Sequence, residues 1–223
     1  MSTNFSLRLV VLPVIVLAAA CRTAGVEPTP QAVEPAPQII QPGAPGQASR
    51  TIGAAEATDL SKVQHTPADV QFMSGMIGHH QQAIEMVALI ADRTSVPGMK
   101  LLGQRIQVSQ EDEIKMMQEW LQKRGQPLPD PHAHHQHGAT LMPGMLTQEE
   151  MAALAAATGA AFDRLFLQGM IKHHGGAVSM VRDLFASPGA AQESDIFAFA
   201  SDVESDQRME IDRMAAMLKE LQK

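Results

Sequence analysis

The sequence predicts an all-α fold, a four-helix bundle made of two repeated αα-hairpins, and three observations carry that prediction. Residues 166–181 repeat residues 72–87 at a constant offset of 94, and nine of the sixteen positions are identical: Phe, Gly, Met, Ile, a His pair, Ala, Met and Val. A second segment repeats further on, where Gln110-x-x-Glu113-Ile114-x-x-Met117-x-x-Trp120-Leu121 is echoed by Gln207-x-x-Glu210-Ile211-x-x-Met214-x-x-Met217-Leu218. Apolar residues fall at helical spacing in all four segments, and a chain with 45% hydrophobic residues, no Tyr and one Trp favours helices over sheets. An internal duplication of a two-helix unit follows, and two such units form a bundle.

The chain opens with Arg8, an apolar run from Leu9 to Leu17, then Ala18-Ala19-Ala20 and Cys21. That run is too short to span a bilayer and reads as a secretory signal over residues 1–20. The single cysteine stands at the cleavage point, so the segment resembles a bacterial lipobox with Cys21 acylated, and simple secretion is the other reading. Residues 21–64 hold six prolines between Pro28 and Pro45 without apolar periodicity. They are expected to form a disordered, solvated tether, with a reach of roughly 35 Å for forty residues.

The bundle is expected over 65–223. Thr66-Pro67-Ala68-Asp69 supplies an N-cap, a first-turn proline and an acidic residue for the helix dipole, opening a helix to about Asp92. Pro97-Gly98 opens the next helix, which Gly125 and Pro127 stop. Residues 65–125 thus make repeat one. A His- and Met-rich linker over 126–146 follows, and then repeat two over 147–223. Within repeat two, Thr147-x-x-Glu150 is a capping box for a short helix that Thr158-Gly159 interrupts. Longer helices are expected over about 160–186 and, with Pro188-Gly189 as its start, about 188–221.

At about 100° per residue, Met76 and His80 lie about 40° apart on the face that also carries Met73, Ile77 and Ile84. His79 falls on the flank of that face, near Met86. The second copy places Met170 and His174 centrally and His173 with Met180 on the flank. Imidazole plus thioether is a soft donor set suited to copper as Cu(I), and also to Cu(II), with another divalent metal as the alternative; calcium and magnesium want oxygen. Met at helical spacing also reads as core filler, and an inward His as a hydrogen-bonded core residue. The repetition of the whole constellation in register favours ligation. A third cluster, His132, His134, His135 and His137 with Met142 and Met145, reads as a flexible capture site of lower affinity.

Other chemistry is disfavoured. Formal charge is −7 without a basic cluster, which argues against nucleic acid. There is no Glu-x-x-His motif of the di-iron kind, no Gly-x-Ser-x-Gly elbow and no cysteine after Cys21, so no catalytic set is expected. Glu113 and Glu210 read as histidine hydrogen-bond partners or exposed residues. Two rival functions remain: a metal-dependent redox enzyme on the bundle, and a structural or interaction lipoprotein of the envelope without metal. A homo-oligomer is compatible with either.

The doubled Met-Ile-x-His-His-x-x-Ala and Met-Ile-x-His-His-x-Gly-Ala, the Gln-x-x-Glu-Ile-x-x-Met-x-x-Trp-Leu segment and Met-Pro-Gly-Met resemble the domain of unknown function 305 family over about residues 65–221. Met217 stands where a second Trp is expected. The resemblance implies a ferritin-like helical bundle and, for members of the CopM type, copper binding in the periplasm. The protein is therefore expected to be exported, as a cell-envelope lipoprotein held to the membrane by its lipid or as a periplasmic or extracellular protein, with a metal ion as its partner.

Overall fold

The computed structural model describes residues 38–41, 48–59, 63–130, 132 and 140–221. Residues up to Thr58 belong to one unit and those from Asp59 onward to another. In the first, β1 (Ile39–Gln41) pairs antiparallel with β2 (Arg50–Ile52), Ile39 opposite Ile52. A single turn of helix, α1 (Ala54–Ala57), follows, and Arg50 pairs with Glu56 at 3.0 Å. The sequence reading expected no regular element here; the β-branched Ile39-Ile40 and Thr51-Ile52 are what pair.

The second unit holds the four long helices. In α2 (Pro67–Ala88) the expected cap is present, because the Thr66 hydroxyl accepts from the Asp69 amide and the Asp69 carboxylate accepts from the Thr66 amide at 2.6 Å. The helix stops earlier than the periodicity predicts. It breaks at Leu89, and a short α3 (Ile90–Arg93) runs to the extended Thr94. Pro97 then occupies the first turn of α4 (Pro97–Lys123), which ends before Gly125 at φ +65°. Thr147 and Glu150 form the expected capping box of α5 (Gln148–Ala156), and α6 (Gly159–Ala186) follows.

One boundary differs from the sequence reading. Pro188-Gly189 does not start the last helix; α7 runs Ser194–Glu220. Gly189 and Ala191 take positive φ, +77° and +54°, and the Ala191 amide donates to the buried Asp69 carboxylate at 2.7 Å. That bond ties the second hairpin's turn to the start of α2.

Helix α2 packs along α4, α6 along α7, and an α2–α6 seam joins the hairpins. Two apolar clusters fill the interior. One gathers Phe72, Met73, Met76 and Ile77 with Met117, Trp120, Val181 and Leu184; the other gathers Ala83, Met86 and Val87 with Met99, Phe162, Phe166 and Met170. The early half of α2 therefore meets the late half of α6, so the two helices are antiparallel. Between the clusters lie the histidine pairs, and with them Gln82, Gln110, Glu113 and Gln207, all buried.

Candidate metal centre

All four histidines of the doubled motif sit in this polar layer, none more than 1% exposed. The inward direction of His80 and His174 agrees with the helical phase. His79 and His173 are buried too, because the α2–α6 seam covers the flank on which the sequence placed them. Their rings lie 3.9 Å apart, centroid to centroid.

Each Nε2 faces an oxygen. His80 donates to the Glu113 carboxylate at 2.5 Å and His174 to the Glu210 carboxylate at 2.6 Å. His79 donates to the Pro143 carbonyl and His173 to the carbonyl of His79, both at 2.9 Å. A neutral imidazole that donates from Nε2 keeps its lone pair on Nδ1. The Nδ1 atoms of His80, His173 and His174 are buried and bonded to no protein group. Leaving such an acceptor unmet costs about 1–3 kcal/mol. Three in one layer point to a ligand rather than to core filling.

Burial keeps the His173 lone pair available. Burial, followed by repulsion from His79, His174 and His80, pushes the His173 pKa well below its ordinary value, so its ring is neutral at pH 7. Burial alone would raise the Glu113 carboxyl, but the hydrogen bonds from His80 and from the Ser109 hydroxyl at 3.0 Å hold it below the usual range. Glu113 is thus an anion behind an imidazole, the arrangement that orients a metal-binding histidine and raises its basicity.

The thioethers flank this layer. A helical side chain leans towards the preceding turn, which sets His80 over Met76 and His174 over Met170, both sulfurs fully buried. Met73 shares the first apolar cluster with Met76, and Met86 the second with Met170. Among the described residues no three His, Cys, Asp or Glu side chains converge as a preformed cation site. The donors that fit an ion here are neutral nitrogen and sulfur, which select a soft metal.

Residues 142–146, at the end of the linker, are held in place rather than free as a loop. Met145 and Leu146 are buried, and Gln82 grips Leu146 twice, accepting from its amide at 2.7 Å and donating to its carbonyl at 2.9 Å. On the opposite helix, Gly176 lies so close that an added Cβ would fall 1.8 Å from the Pro143 oxygen. Residues 142–146 are therefore a strap across the α2–α6 seam, and the strap supplies the carbonyl that His79 uses. Met142 and Met180 are half-buried beside it. His132 is exposed and bonded to Glu85 at 3.1 Å. Cys21, His134, His135 and His137 lie outside the described residues. Gln82 and Pro143 were not singled out from sequence. Their signal lies in the mismatches of the repeat, where Gln82 stands in one copy and Gly176 in the other.

The sequence profile of the domain of unknown function DUF305 matches residues 69–218, which is most of the chain and the whole histidine-bearing bundle. The chain belongs to the DUF305 family. A DUF305 fragment from Deinococcus radiodurans has a similar crystal structure, with a TM-score of 0.61 and 30% identity over 70% of this chain and 98% of that one. CopM in its Cu(II)-bound form gives a TM-score of 0.58 and 30% identity, covering 68% of this chain and 96% of CopM. CopM is also solved with Cu(I) and with Ag bound. Uncharacterized protein L153 of Acanthamoeba polyphaga mimivirus is 43% identical over 56 residues, a match that spans 25% of this chain and 37% of that protein. As the DUF305 relatives lead one to expect, the described bundle is all-α.

Proposed function

We propose that this DUF305 protein is an exported copper-binding protein that sequesters or buffers copper, contributing to copper tolerance, and that it holds the metal rather than turning over a substrate. The observation that carries the reading is the set of buried Nδ1 lone pairs on His80, His173 and His174, unmet by protein and backed by carboxylates and carbonyls on the opposite nitrogen. Met76 and Met170 supply the adjacent thioethers. Copper bound to CopM, a similar bundle, supports the choice of metal. Export rests on the N-terminal signal and on Cys21, with the tether spacing the bundle from a lipid anchor; among the described residues no helix is long and apolar enough to cross a membrane.

The test is an anaerobic Cu(I) competition against a chromophoric chelator. His80→Gln with His174→Gln, checked for unchanged helicity by circular dichroism, should lose the tight phase. Removal of residues 133–139, which leaves the strap in place, should keep it and lose weaker equivalents. Retention of the tight phase by a folded double variant would make the histidines core residues and defeat the reading.

A further inference from the structure

The repeat provides two equivalent glycine seats, Gly75 on α2 and Gly169 on α6, and the strap reaches both. Over Gly169 the contacts are apolar: a Cβ there would meet Leu146 at 3.1 Å and the Met86 methyl at 3.3 Å. Over Gly75 the same construction brings two methionines together, because a Cβ would meet the Met142 sulfur at 3.1 Å and the Met180 methyl at 3.6 Å. Met86 and Met180 are the same position of the repeat, and residues 142 and 146 are one strap. The seats differ in environment as well. Met86 and Leu146 are buried, whereas Met142 and Met180 are half-buried. They line a cleft of about 310 Å³ that also has Gln71, Pro143 and Asp183 on its walls.

Packing alone does not require a thioether at position 142, since the equivalent seat is filled by a leucine. Two methionine side chains that reach within 4 Å of one point, Met142 by its sulfur and Met180 by its methyl, on an open cleft, offer a thioether pair that does not need deprotonation. We propose that Met142 and Met180 form a separate thioether site for a soft monovalent ion, Cu(I) or its analogue Ag(I), at the surface above Gly75. The Asp183 carboxylate beside it supplies compensating charge. The site rests on the copper-binding reading only for the choice of ion; its donors are distinct from the buried imidazoles. The glycine is a requirement of the site, because a side chain at position 75 would occupy the space that the Met142 sulfur and the Met180 methyl share.

The experiment uses full-length protein labelled with ¹³C at the methionine ε-methyl groups and titrated with silver nitrate in chloride-free buffer. Met142→Leu and Met180→Leu, which nearly conserve volume, assign the two methyl signals. The expected result is that the Met142 and Met180 signals move together over one equivalent while the Met86 signal, in the apolar seat, stays still during that step. Each leucine variant should abolish the shift of the remaining partner. The inference is overturned if the two signals move at different equivalents, if neither moves, or if Met180 still shifts in Met142→Leu. Loss of the joint shift with the histidine-dependent tight phase intact would sink this site alone. Loss of the histidine phase with the joint shift intact would sink the buried centre alone.

Discussion

His173 donates its Nε2 proton to the main-chain carbonyl of His79, 94 residues earlier in the chain, while the two rings pack 3.9 Å apart. One histidine of the second repeat is thus oriented by the backbone of the first, and the second repeat alone cannot set its geometry. His173→Ala removes a buried ring and its hydrogen bond to that carbonyl. The expected loss is about 2–4 kcal/mol in urea unfolding. Copper affinity at the His80 half should weaken as well, and an unaltered chelator competition would show that the halves act independently.

Glu113→Gln with Glu210→Gln keeps the shape of the layer but removes the anions behind His80 and His174. Losing the carboxylate behind a metal-binding histidine weakens metal binding by about 10- to 100-fold. Helicity by circular dichroism should be unchanged. If the double variant binds copper as tightly as the parent, the carboxylates are packing partners only.

Stability should fall in mild acid. The folded pKa of His173 lies below its ordinary value of 6.5, so the unfolded chain takes up the proton first and stability is complete only above about that pH. Glu113, depressed below 4.5, adds a loss of the same sign as pH falls further. The urea midpoint should therefore drop between pH 7 and pH 5 and again below 4.5. His173→Gln should flatten the first limb, and a parent curve that is level across that window would contradict the assignment.

Two adjacent glycines should respond oppositely. At Gly175 an added Cβ meets nothing within 4 Å, so Gly175→Ala gains helix propensity, about 0.5–1 kcal/mol. At Gly176 the Cβ would collide with the Pro143 carbonyl and with Gly144 at 2.7 Å, and the strap must move. Gly176→Ala should cost about 1–3 kcal/mol despite the same propensity gain. Thermal melts of the two variants, recorded side by side, decide the matter.

The helices were legible because the repeat is written in side chains whose spacing is helical, and the Thr66 and Thr147 capping boxes sit where the residues place them. The phase argument also found His80 and His174. For His79 and His173 it gave the flank but not what covers it, since a wheel gives direction but not which neighbour packs there. The start of α7 was missed because Pro188-Gly189 has the same local chemistry as Pro97-Gly98; the distant Asp69 decides between them by taking the Ala191 amide. The strap was hidden for a related reason. Met142-Pro143-Gly144-Met145 reads as a turn, and only the tertiary grip of Gln82 and the bare surface at Gly176 make it a fixed element.

The strap also breaks an equality. Two identical hairpins related by a two-fold axis would present the same environment to corresponding histidines, but one chain has only one strap, and Pro143 can serve only one of them. His79 answers to the connection between the repeats, and His173 answers to the opposing helix. Fusing the duplicated halves has therefore given the centre a front and a back, so that the two sides are free to diverge in how firmly each holds its imidazole.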